Sequence, residues 1–176
     1  MKLAVAFAII VTTALAFGCG DSSGTLTLEE YFAEFETIDA DIDAQIELLY
    51  VDFPTGTDEE IFSDDSTVSF FKDLLAGFEV ALSDSLERAQ ELAAPSEVED
   101  EHDALLEAVE KNITAFEAGS EAIKDVETMA EFETVFPPVE SDIDAAQLAF
   151  ETACLDVVAI GEANGITVDV DCLDDE

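Results

Sequence analysis

The chain has 176 residues, with 44 Asp and Glu against five Lys and Arg, a formal net charge of -39. That length suits one domain, and a hydrophobic content of 49% sets it apart from a disordered acidic tail. Phosphate binding needs clustered Lys and Arg, which argues against nucleic acid as a partner, and only one stretch is apolar enough to argue for a membrane span.

That stretch comes first. Residues 1–20 read MKLAVAFAIIVTTALAFGCG. Lys2 supplies a positive start, and residues 3–17 form an apolar run of signal-peptide length, short for a spanning helix. Ala16-Phe17-Gly18-Cys19 follows, then the polar Gly20-Asp21-Ser22-Ser23-Gly24. This resembles the lipobox of bacterial lipoproteins, in which a small residue precedes a cysteine that is diacylated. Gly18 and Cys19 match. Ala16 and Phe17 depart from the usual Leu and small residue, and Leu15 stands one place early. The resemblance implies a signal peptide over 1–18, lipidation of Cys19 as the mature N-terminus, a polar linker over 19–25 and a domain over 26–176. It also implies export to the outer face of the cell membrane or the periplasm, with the bilayer as a partner through acylated Cys19. Ala16-Phe17-Gly18 suits an ordinary signal peptidase as well, so plain secretion stays open.

With Cys19 acylated, Cys154 and Cys172 remain as an even pair in an oxidising compartment, which points to a disulfide. On the chain-entropy model such a bridge stabilises by roughly 3 kcal/mol. Metal binding is the alternative, but neither Cys has a CxxC partner or a nearby His.

The rest reads as helices. Thr27-Leu28-Glu29-Glu30 is a capping box. Behind it Leu28, Tyr31, Phe35, Ile38, Ile42 and Leu49 recur at three and four residues, with Gln45 as the polar entry and Phe32 and Ile46 widening the face. This predicts a helix to about Asp52, stopped by Pro54 and Gly56. Residues 57–60 can cap another helix, while residues 58–67 are acidic and also suit a loop. A second stripe runs Val68, Phe71, Leu75, Phe78, Leu82, Ala89 and Leu92, ending before Pro95. Ser96 and Glu99 read as a capping box for a third stripe, Val98, His102, Leu105, Val109, Phe116, Ile123 and Val126, with Asn112 and Gly119 in its seam. Thr128 and Glu131 predict a short helix before Pro137-Pro138. A fourth stripe, Val139, Ile143, Ala146, Phe150, Ala153, Val157 and Ile160, ends at Asn164-Gly165. Residues 166–171 alternate apolar and acidic or polar, as a tail lying back on the bundle and pinned by Cys172 to Cys154. The fold class is therefore all-α: an antiparallel up-down bundle of about four helices with a disulfide-pinned C-terminal tail. An elongated three-helix coiled coil is the rival.

Candidate chemistry is sparse. Glu99-x-x-His102 is half of a di-iron carboxylate signature, and the sequence holds no second His. Asp39-x-Asp41-x-Asp43 imitates the start of a calcium loop, but Ala44 stands at the Gly position and Tyr50 at the bidentate Glu position. There is no Gly-x-Ser-x-Gly and no phosphate-binding Gly loop. Asn112-Ile113-Thr114 matches a glycosylation sequon but falls inside a helix. No catalytic, cofactor-binding or metal residue is assigned. The expected sites are Cys19 for lipid and Cys154 with Cys172 for the disulfide.

Removing residues 1–18 removes Lys2 and no acid, leaving 44 acids and four bases, a net charge of -40. Such a chain repels itself, and salt screens the repulsion, with a Debye length of about 8 Å at physiological strength and about 3 Å at 1 M. Divalent cations are expected to bind loosely to its acidic clusters. The reading is a tethered, non-catalytic interaction module with a protein partner the sequence does not name. The alternative is a cation- or small-ligand-binding helical bundle.

Overall fold

The computed structural model describes residues 24–51, 54, 57, 64–170 and 172. The targeting segment with Cys19, residues 58–63 of the acidic stretch and the acidic cluster 174–176 lie outside the described residues. Among the described residues the chain forms four helices: α1 (Leu28–Leu49), α2 (Thr67–Gln90), α3 (Glu99–Ile123) and α4 (Met129–Ala163).

Successive helices run antiparallel, because contacting residues follow in opposite order along adjacent helices. Asp41 and Leu49 of α1 meet Arg88 and Gly77 of α2. Lys72 and Phe78 of α2 meet the Lys124 carbonyl and Phe116 at the far half of α3. Asn112 and Gly119 of α3 meet Ala146 and Val139 of α4. The bundle is thus the up-down one that the four apolar stripes require. α1 packs on α2, α2 on α3 and α3 on α4, but α1 and α4 share little direct helix contact.

Two apolar cores lie along the bundle. One joins Tyr31, Phe32 and Phe35 of α1 to Val98, Leu105, Ala153, Cys154 and Val157. The other joins Val68 and Leu75 of α2 to Phe116, Ile123, Phe132 and Ile143. No residue of α1 belongs to the buried set of the second core. Large rings fill it: Phe71, Phe132 and Phe136 form a stack, with centroids 4.8 Å and 4.5 Å apart.

Two local expectations are corrected. Thr128 and Glu131 do form their capping box, but the helix they start does not end at the prolines. It runs on through Pro137 and Pro138 to Ala163. A proline removes the N–H that would serve the carbonyl four residues back. Here those carbonyls belong to Glu133 and Thr134, which are exposed, as are both prolines, so water can serve them. The inner face continues uninterrupted as Phe132, Phe136, Val139 and Ile143, and that packing holds the two halves in line.

The Ser96–Glu99 capping box does not form. α3 starts at Glu99 with Val98 as its N-cap, and no side chain caps it. Val98 is fully buried, and its N–H closes a turn onto the Pro95 carbonyl at 3.0 Å. Burial of Val98 therefore draws residues 96–98 into a turn, and Ser96 bonds Glu97 instead. At the other end of the first helix the difference is small, with α1 ending at Leu49 and Tyr50–Val51 forming a turn.

The C-terminal tail closes the side that the helices leave open. Gly165, at φ 78°, takes the left-handed position after α4. The Ile166 and Gly165 N–H groups return to the Gly161 and Glu162 carbonyls, each at 3.0 Å, which is a Schellman motif. Beyond it Ile166, Val168 and Val170 are half-buried on the first core, while Thr167 and Asp169 are exposed. The Asp169 N–H donates to Glu36 Oε1 of α1 at 2.8 Å. Cys172 then joins Cys154 of α4 in a disulfide, with 5.6 Å between Cα atoms. The predicted alternation and pairing are both present.

Candidate functional site

The polar residues in the apolar seams come first, because a buried polar group needs a partner. His102 and Tyr31 are 4% and 0% exposed. Tyr31 Oη and His102 Nδ1 are 3.0 Å apart. A backbone hydrogen bond with Ala89 of α2 also acts on the ring, and which partner donates in the Tyr31 contact follows from the ring's tautomer. One side chain on α3 thereby ties α1 and α2. Burial lowers the His102 pKa from 6.5, with the Asp103 charge opposing, and burial pushes the Tyr31 phenol up. The pair is closed to solvent, so no substrate reaches it. Glu99, the other half of the di-iron spacing, is exposed at the first turn of α3 and is not brought to His102.

Asn112 is 4% exposed and lies one helix turn from Phe116. Its Nδ2 donates to the Ala108 carbonyl at 3.2 Å and across to the Ala146 carbonyl of α4 at 3.1 Å. A sequon Asn in this position is inside the bundle.

Between the two cores α1 stops burying its stripe. Ile38 is buried, but Ile42, Ile46 and Leu49 are only half-buried. Arg88–Asp41, at 2.7 Å, and the Leu49–Gly77 contact hold this half of α1 on α2. Among the described residues the tail fills the strip between α1 and α4 as far as Cys172. Beyond it a groove of about 310 Å³ stays open among all four helices. α1 contributes Asp39, Ile42, Asp43 and Ile46, followed by Tyr50. Phe78 and Leu82 come from α2, and Asn112 and Phe116 from α3. α4 adds Gln147, Phe150 and Glu151, and Cys172 forms part of the wall. Phe78 stacks on Phe116 with centroids 5.0 Å apart, and Tyr50 meets Phe78 edge-on at 6.2 Å.

The acidic triplet in the imitated calcium loop lies within α1, where no loop carbonyls converge. Asp41 pairs with Arg88, while Asp39 and Asp43 face the groove. Among the described residues no group of three or more His, Cys, Asp or Glu is placed to hold a metal ion. The sequence reading did not find the groove. Its one signal was Asn112 in the middle of an otherwise apolar stripe.

Comparison with protein-family models, with curated proteins and with solved structures gave no match.

Proposed function

We propose that the chain is an exported lipoprotein that acts as a non-catalytic interaction module. Two acyl groups on Cys19 hold it to the outer face of the membrane, residues 20–25 space it from the surface, and the acidic bundle faces the aqueous exterior. The observation that carries this reading is the order of residues 1–24: Lys2, an apolar run, Gly18-Cys19, then an abrupt polar segment. One acyl chain binds a bilayer only marginally, so stable tethering needs the second. The bundle supports the reading in one respect. It is closed by a disulfide, and no helix among the described residues is long and apolar enough to cross a membrane.

The test is intact-mass analysis of protein extracted from its own cells, with fractionation of a Cys19→Ala variant. The expected result is acyl mass on Cys19, loss of residues 1–18, and release of the variant from membranes. An unmodified soluble protein beginning at Cys19 would overturn the tether. A second reading, a small-ligand-binding bundle, is favoured by the groove below Cys172.

A further inference from the structure

The geometry points to the groove between α1 and α4 as a binding site for a small amphiphilic monocation, an ammonium group carrying an aliphatic tail. The inference does not depend on the membrane tether.

Shape comes first. A groove of about 310 Å³ is at the small end of ligand sites. It accommodates a chain of modest length rather than a lipid with two tails. Its floor is apolar, built on the stacked Phe78 and Phe116 rings and on Leu82.

Polarity comes next. Asp43 and Glu151 place carboxyl groups on opposite walls, and neither has a basic partner among the described residues. Among the described residues no basic side chain lines the groove. Asn112 adds an acceptor. Both of its amide hydrogens are committed to the Ala108 and Ala146 carbonyls, and those partners fix the amide's orientation. Among the described residues no group donates to its Oδ1, and the residue lines the groove, so a ligand N–H can donate there. Gln147 and Tyr50 can donate as well as accept. The remaining polar groups only accept.

The two ends of the groove differ. Along α1 the acids Asp39 and Asp43 precede Ile46 and Tyr50, so the acidic end is the one nearer Cys172. Phe78, Phe116 and Tyr50 make the other end aromatic. An ammonium head among the carboxylates and a tail over the rings satisfies both ends, with charge-assisted hydrogen bonds and ring faces favouring the cation. A carboxylate head meets like charge from Asp39, Asp43 and Glu151 with only Gln147 and Tyr50 as side-chain donors, so a fatty acid is disfavoured. An alcohol gains the tail contact and one hydrogen bond but no ion pairing.

Octylammonium, octan-1-ol and octanoate test this on the full chain, by calorimetry at physiological ionic strength and by methyl NMR. The expected result is one saturable octylammonium site that shifts the methyl signals of Ile42, Ile46 and Leu82. Octan-1-ol should bind about tenfold more weakly, two partly exposed ion pairs being absent, and octanoate not measurably. Diffuse attraction to a chain of charge -39 is separated by two double variants. D43N/E151Q removes the groove charges and should weaken octylammonium about tenfold. D84N/E87Q removes two exposed acids elsewhere on α2 and should leave affinity unchanged. Equal losses in the two variants, octanoate binding as tight as octylammonium, or shifts outside the groove would each overturn the assignment.

Discussion

Cys172, bonded to Cys154 with 5.6 Å between their Cα atoms, also forms part of the wall of the open groove. The two roles are connected. α1 and α4 barely touch as helices, and Ile166, Val168, Val170 and Cys172 pack into the strip between them. Cys172 is the last described residue of the tail, and the groove adjoins it. A covalent bond between the tail and Cys154 within α4 thus stands at one end of the cavity.

The Tyr31–His102 tie makes stability depend on pH. Burial holds the His102 pKa below 6.5 in the folded state. As pH falls through 6.5 the unfolded chain takes up a proton that the folded chain refuses, so stability falls, by up to about 1.4 kcal/mol per pH unit. The contribution is complete above 6.5 and is lost below it. Urea melts between pH 7.5 and 6 should show the fall, and His102→Gln should flatten it. The same slope in the variant would place its origin elsewhere.

Gly119 of α3 packs closely against Val139 of α4. A Cβ there would lie 2.9 Å from Val139 Cγ1 and 3.4 Å from Leu75 Cδ1. Ala gains about 1 kcal/mol in helix propensity, but overpacking costs roughly 1–3 kcal/mol, and a β-branched Val cannot rotate away freely. Gly119→Ala should therefore lower the thermal midpoint. A higher midpoint would show that α4 can move outward after its prolines at little cost.

The helices themselves were plain from the sequence. The stripes ending at Leu49, Leu92, Val126 and Ile160 all correspond to helices, and the caps at Thr27 and Thr128 formed as their spacing required. The prolines misled because a chain breaker is judged locally, whereas exposed carbonyls and a continuous inner face decide the matter here. The groove was hidden for a related reason. Ile42, Ile46 and Leu49 continue the α1 stripe and read as core, and only the path of the tail determines that they stay half-covered.

Self-repulsion should govern the response to salt. Three ion pairs form among the described residues, and each is well exposed: Arg88–Asp41, Lys111–Glu107 and Lys124–Glu121. Such pairs contribute little. Lys72 is used differently, donating to the Lys124 and Val126 carbonyls at 2.8 Å just beyond α3. Raising NaCl from roughly 20 mM to 1 M, which shrinks the Debye length several-fold, should therefore raise the melting temperature, with Mg²⁺ acting at lower concentration. A flat or falling midpoint would show that the 44 acids do not limit stability. Lys72→Met should cost about 1–2 kcal/mol at either salt, since its role is hydrogen bonding to carbonyls.

The central claim is that the disulfide-held tail shapes a groove for a hydrophobic cation. Octylammonium affinity, measured before and after reduction of Cys154–Cys172 with helix content followed by circular dichroism, tests it most directly. The expected result is a loss of affinity of about tenfold or more in a chain that stays helical, because the wall at Cys172 is released while the α2–α3–α4 contacts remain. Unchanged affinity in the fully reduced, still helical protein would contradict it.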